Sequence, residues 1–119
     1  MYYLGLDVGS SSIKAAIVDA KSGKSILSVH EPKNEMGINS LNNDWAEQDP
    51  NMWWKYTCDA IKRVCKESNV DSKKIGSIGI SYQMHGLVVV DKNGTPLRDS
   101  IIWCDSRAVN IGNEAFEKL

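Results

Sequence analysis

A chain of 119 residues, 42% apolar and 24% charged, has room for one modest domain or part of a larger one and falls in the ordinary range of soluble globular proteins. Its formal net charge of −1 gives no support to a nucleic-acid or membrane partner held by bulk electrostatics, and no apolar run approaches the ~18 residues of a membrane span. The start lacks the basic and apolar regions of a signal peptide. Cys58, Cys65 and Cys104 have no zinc-binding spacing, so reduced thiols in a cytoplasmic protein are expected.

Residues 2–6 are an apolar run long enough for one buried strand, and Asp7 closes it. Gly9 and the serines Ser10, Ser11 and Ser12 then turn the chain, and residues 13–19 form a second β-rich run. Residues 19–24 read as a second turn and residues 25–30 as a third strand, which makes a meander. Residues 31–44 are polar and irregular, a surface loop that is long for a compact domain. Asp49 and Pro50 then suit the N-cap and first position of a helix. Trp53, Ala60, Ile61, Val64 and Cys65 recur at helical spacing. Cys58 and Cys65 would lie about 10 Å apart along that helix, too far for a disulfide. Residues 75–81 alternate at period two, so a crossover brings this strand onto the existing sheet. Residues 87–91 and 96–103 are expected to form a hairpin about Lys92-Asn93-Gly94. A last helix starts near Ala108, with Ile111, Ala115, Phe116 and Leu119 as its stripe.

Three polar sets stand at element ends, where ligands of open α/β sheets gather: residues 7–14, residues 83–85, and Asp105 with Arg107. In the first, Gly9 allows close approach to a ligand. Successive N–H groups of such a turn form an anion-binding concavity, while the serine hydroxyls and Lys14 add donors. Asp7 beside a phosphate calls for a cation between them, and Mg²⁺ prefers that oxygen-rich setting. A serine-rich hairpin turn ended by an aspartate is the plainer alternative. The spacing is not that of a Walker A loop. His85 suits a hydrogen bond to a substrate hydroxyl, or a turn satisfied by backbone. Met84 suits core or pocket wall, Asp105 and Arg107 suit a helix cap or a site, and His30 is read as structural. Trp45 and Trp103, each near a carboxylate, are candidate walls for a sugar face. Glu47 and Asp49 form a possible carboxylate pair.

Four motifs follow in order: Asp7-x-Gly9-Ser10-Ser11-Ser12-x-Lys14, Trp45-Ala46-Glu47-Gln48-Asp49-Pro50, Gln83-Met84-His85-Gly86 and Ile102-Trp103-Cys104-Asp105-Ser106-Arg107. Together they resemble the N-terminal part of the FGGY carbohydrate kinases over essentially the whole chain. The first motif is shared with other actin-like ATPases. Residues 83–86 narrow the resemblance to members that phosphorylate xylulose, because glycerol-phosphorylating members carry an arginine–glutamate pair there. Gluconate-phosphorylating members can also carry the methionine–histidine pair. Ser10 stands where threonine is common and Cys104 where asparagine or glutamine is common, and neither departure removes a charge.

The resemblance implies an α/β fold: a partial ribonuclease H-like, actin-like ATPase domain with a mixed sheet, antiparallel in its first three strands and flanked by helices. Residues 1–119 would be the N-terminal part of a first domain, with a second domain and the catalytic base lying elsewhere. No catalytic residue is therefore assigned within the chain. The implied reaction moves the ATP γ-phosphate to the 5-hydroxyl of D-xylulose, giving D-xylulose 5-phosphate. Asp7 would hold Mg²⁺ through water. Gly9, Ser10, Ser11, Ser12 and Lys14 would contact the phosphates of ATP. Met84 and His85 would bind the sugar with help from Asp105. The expected partners are a small sugar and ATP, with a homodimer allowed. A gluconate kinase, or a non-catalytic sugar- or nucleotide-binding module, is the alternative.

Overall fold

The computed structural model describes all 119 residues. In chain order the elements are β1 (Tyr2–Val8), β2 (Ile13–Asp19), β3 (Ser25–Glu31), β4 (Glu47–Gln48), α1 (Pro50–Ser68), a 3-10 turn (Ser72–Lys74), β5 (Ile75–Tyr82), β6 (Ser100–Ile101) and α2 (Val109–Glu117). They fall into two units. Residues 1–36 and 51–83 form one, and residues 37–50 and 84–119 form the other.

The first unit is a four-stranded sheet in the order β3-β2-β1-β5. β1, β2 and β3 form the antiparallel meander, and β5 lies parallel to β1 after the α1 crossover. Strand alternation sorts the two faces. Leu4 and Leu6 of β1, Ile13, Ala15 and Ile17 of β2 and Val29 of β3 are buried with Ala60 and Val64 of α1. Each large aliphatic side chain buried this way contributes roughly 1.5–3 kcal/mol. Arg63 of α1 pairs with Glu31 at 3.0 Å and donates to the His30 carbonyl at 3.3 Å, which ties the helix to β3.

The opposite face of this sheet carries a polar row. In register, Ser81 of β5 stands beside Asp7 of β1, Asp7 beside Lys14 of β2, and Lys14 beside His30 of β3. The strand runs begin and end within two residues of the sequence expectation. β1 outlasts its apolar run because Asp7 and Val8 keep pairing with Lys14 and Ile13.

The second unit is built around the short antiparallel pair of β4 and β6, which the sequence does not announce. Its buried centre mixes Ala46 and Ile102 with Glu47, Gln48 and Ser100. Gln48 donates to the Gly37 carbonyl at 3.1 Å, which satisfies part of its buried amide. The expected hairpin of residues 87–91 and 96–103 is a correction. Its turn forms, with Asp91 N–H bonded to the Thr95 carbonyl at 2.9 Å and Gly94 at φ +80. Its arms, however, meet only in isolated bridges, Val90 with Pro96 and Leu87 with Ile101. Val90 and Pro96 face each other at a non-hydrogen-bonding position, flanked by the Asp91 bond to Thr95 and by the Leu97 N–H donating to the Val89 carbonyl at 2.9 Å. The register shifts, however, before Leu87 reaches Ile101, and the Asp91 carboxylate takes the Asn93 and Thr95 N–H groups. The last helix forms from Val109, with no buried residue.

Candidate functional site

The turn between β1 and β2 is tight. Gly9 N–H donates to the Ser12 carbonyl at 3.2 Å. A Cβ on Gly9 would stand 3.1 Å from that oxygen, so the absence of a side chain is what lets the turn close. The Met36 N–H donates to the Ser11 carbonyl at 2.8 Å and anchors the turn from the following loop. Lys14 Nζ lies 3.2 Å from Asp7 Oδ2. The structure therefore brings Asp7, Gly9, Ser10, Ser11, Ser12 and Lys14 together at one end of the sheet.

Beside this turn is a cavity of about 260 Å³ lined by Ser11, Ser12, Lys14, His30, Pro32, Lys33 and Glu35. His30, read as structural from the sequence, is thus a wall of the same depression. The signal that could have found it is the β2–β3 register, which sets His30 opposite Lys14. Two lysines and a histidine against one glutamate make a lining that receives an oxyanion better than a cation.

No group of three histidines, cysteines, aspartates or glutamates converges to cage a metal. A cation here would be held by the Asp7 carboxylate together with water and ligand oxygens. That donor set fits Mg²⁺, which commonly binds through one or two carboxylates plus substrate phosphates. It does not fit an ion held by protein alone.

The remaining candidates belong to the second unit. Met84 is 65% exposed. His85 adopts φ +64, a left-handed conformation uncommon outside glycine. Leu87 N–H donates to the Ile101 carbonyl at 2.8 Å, so the segment after His85 is fastened to β6. Asp105 is held from several directions. Its carboxylate accepts from the Ala46 N–H at 2.7 Å and from Arg107 Nε and Nη2 at 2.9 and 2.7 Å. The Arg107 side chain, despite partial desolvation and with help from the Ala46 N–H, holds the Asp105 carboxyl at about 2, below its ordinary 3.8.

Arg107 also donates to Glu47 at 2.6 Å, and Arg98 donates to the same carboxylate. Glu47 is therefore the centre of a largely buried ion network. Arg98 is the member the sequence did not announce. The Arg107 guanidinium stacks 3.8 Å from the Trp45 ring centroid, so one face of that indole is already covered. Trp103 remains 60% exposed.

Comparison with known proteins places these features. Residues 2–118 match the model of the FGGY family of carbohydrate kinases, N-terminal domain. A xylulose kinase of Staphylococcus epidermidis is 42% identical over 104 residues, which is 87% of this chain and 20% of that protein. The crystal structure of xylulose kinase from Rhodospirillum rubrum superposes with a TM-score of 0.87 over 100% of this chain and 24% of its own. At 23% identity that likeness speaks to the fold. The gluconate kinase structure from Lactobacillus acidophilus gives a TM-score of 0.86 at 28% identity, covering 98% of this chain and 22% of its own. The chain thus spans about a fifth of the length of the curated relative.

Proposed function

The chain belongs to the FGGY family of carbohydrate kinases, and on that premise we propose that it is the N-terminal part of a kinase transferring the ATP γ-phosphate to the 5-hydroxyl of D-xylulose. The observation that carries the reading is the closed turn of residues 9–12, with Asp7 and Lys14 meeting at its base and a basic, hydroxyl-lined cavity beside it. A phosphoryl chain needs these groups: short donors, a cation of fixed charge, and a carboxylate that meets phosphate through Mg²⁺.

In this reading Gly9, Ser10, Ser11, Ser12 and Lys14 hold the phosphates. Asp7 would hold Mg²⁺ through water, and the bound ion would supply charge neutralisation for the phosphoryl oxygens. Met84 and His85 contact the sugar, and Asp105 assists from the loop that Arg107 and Ala46 fix. The base that takes the hydroxyl proton is supplied from outside residues 1–119. Catalysis of this type is mostly positioning and charge stabilisation. The 42% identical relative named as a xylulose kinase favours a ketose over a sugar acid. The gluconate kinase likeness keeps a sugar acid as the second reading.

The deciding experiment is ADP release by the full-length protein, followed by coupled assay, across a panel of ketoses and sugar acids with MgATP. Turnover highest on D-xylulose is expected. Turnover confined to gluconate selects the second reading, and no sugar-dependent turnover sinks both.

A further inference from the structure

The turn of residues 9–12 and the start of β2 supply only part of the cavity of about 260 Å³, through Ser11, Ser12 and Lys14. His30, Pro32, Lys33 and Glu35 complete it from the end of β3 and the loop behind it. Two contacts bring these residues to the turn. The β2–β3 register sets His30 beside Lys14. The Met36 N–H donates to the Ser11 carbonyl at 2.8 Å, which folds residues 32–36 back onto the turn. Asp7 is not part of the lining. It stands on β1, on the other side of Lys14 from His30, and neighbouring strands are about 4.8 Å apart.

The lining sets Lys14 and Lys33 against one carboxylate, Glu35. Glu31 does not add to the negative side. Alternation sends it to the face opposite His30, where it pairs with Arg63 at 3.0 Å. Lys33 is in no salt bridge, so its charge is open to a ligand. The serine hydroxyls and a His30 ring N–H add donors. The volume falls below the roughly 300–1,000 Å³ of sites for drug-sized ligands, which suits a small ion with a few waters. Lys14 belongs to both places: its Nζ is 3.2 Å from Asp7 Oδ2, and its side chain walls the cavity.

We propose that this cavity is a second oxyanion subsite, which takes inorganic phosphate or the phosphate end of a small monoester and competes with MgATP for Lys14. The competition rests on the reading above that Lys14 serves the ATP phosphates. The subsite itself does not, because His30, Lys33 and Glu35 lie outside the turn. A bound dianion draws Lys14 toward β3 and away from the nucleotide. Free phosphate or a phosphorylated sugar thereby restrains the kinase.

The test is calorimetric titration of the full-length protein with inorganic phosphate, and separately with glycerol 3-phosphate, for wild type, Lys33→Ala and Glu35→Gln. Both substituted residues are exposed, and melting curves check that both variants fold as wild type does. Wild type should bind phosphate, Lys33→Ala about fivefold more weakly or worse, and Glu35→Gln more tightly, because one variant removes an attraction and the other a repulsion. Tighter binding of glycerol 3-phosphate with the same variant pattern assigns the subsite to a monoester, and tighter binding of phosphate assigns it to the free ion. Phosphate should weaken MgATP binding in wild type and should do so less in Lys33→Ala. Phosphate binding that both variants share unchanged places the anion at the turn alone and overturns the proposal, as does a wild type that binds neither probe. MgATP affinity unaffected by saturating phosphate overturns the competition. A protein with this variant pattern but no sugar-dependent turnover keeps the subsite and loses the sugar-kinase reading.

Discussion

Lys14 Nζ and Asp7 Oδ2 are 3.2 Å apart, so the two charges that the phosphate reading needs are paired with each other. Their side chains are 60% and 47% exposed. Exposed pairs of this kind are worth about 0–1 kcal/mol, so a magnesium–phosphate pair can separate them at small cost. The contact keeps both groups at the mouth of the turn.

Asp7→Ala should therefore cripple chemistry rather than folding. In the full-length kinase the expected loss of turnover is about 10²-fold or more, the usual scale for removing a charge-stabilising group. Xylulose affinity measured by calorimetry should stay within about threefold, because Asp7 acts through the cation and the phosphate. Turnover within about threefold of wild type would remove Asp7 from the phosphate site.

The Asp105 network predicts an acid limit. With its carboxyl held at about 2 by Arg107 and an ordinary value of 3.8, the folded state binds its proton less readily than the unfolded chain does. The stabilisation is full above 3.8 and is lost as pH falls through about 2. Urea midpoints measured at pH 5, 3 and 2 should fall across this window in wild type. Asp105→Asn should start lower and show a shallower slope there. Parallel slopes for the two proteins would show that another carboxylate governs acid unfolding.

The meander and the crossover were legible because each strand of the first unit carries its own apolar periodicity and each turn its own punctuation. Leu4, Leu6, Ile13, Ile17 and Val29 alternate as a one-sided sheet requires. The turn of residues 9–12 was legible because its signal is local, a glycine and short donors within eight residues. The second unit was less so. The pairing of β4 with β6 joins segments about fifty residues apart through Glu47, Gln48 and Ser100, polar residues that no hydrophobic pattern marks. The Arg98 contact to Glu47 and the Arg107 stack on Trp45 likewise depend on distant partners. The hairpin of residues 87–103 misled because its turn signal is genuine while the pairing shifts register between the Val90–Pro96 and Leu87–Ile101 bridges, which no local pattern marks.

β5 is an edge strand, and its exposure leads to a prediction about the isolated chain. By register Ile78, Ile80 and Tyr82 share the face of Leu4, Leu6 and Val8, yet they are 57%, 62% and 66% exposed. A long apolar strand with an open edge is a template for self-pairing. The 119-residue chain produced alone should therefore associate as its concentration rises in sedimentation velocity. Ile80→Lys should hold it monomeric by placing a charge in the strip. A parent chain that stays monomeric across the accessible range would show that this edge is protected by its own twist.

His85 offers the sharpest separation of structure from recognition, because its backbone and its imidazole can be tested independently. At φ +64 any residue with a Cβ is disfavoured, and glycine is not. His85→Gly relieves that strain and should keep the melting temperature of the full-length kinase at or above the wild-type value, while His85→Ala, which keeps the Cβ, should melt lower than His85→Gly. If the imidazole hydrogen-bonds a sugar hydroxyl, both variants should lose xylulose affinity by roughly 1–3 kcal/mol. KM for MgATP should barely change in either if the turn of residues 9–12 carries the phosphate side, as proposed. A histidine that serves only its own loop gives the opposite pattern: xylulose affinity in His85→Gly equal to wild type, with any defect in His85→Ala tracking its melting temperature. Calorimetric titration of both variants with xylulose, alongside their melting curves, decides between the two.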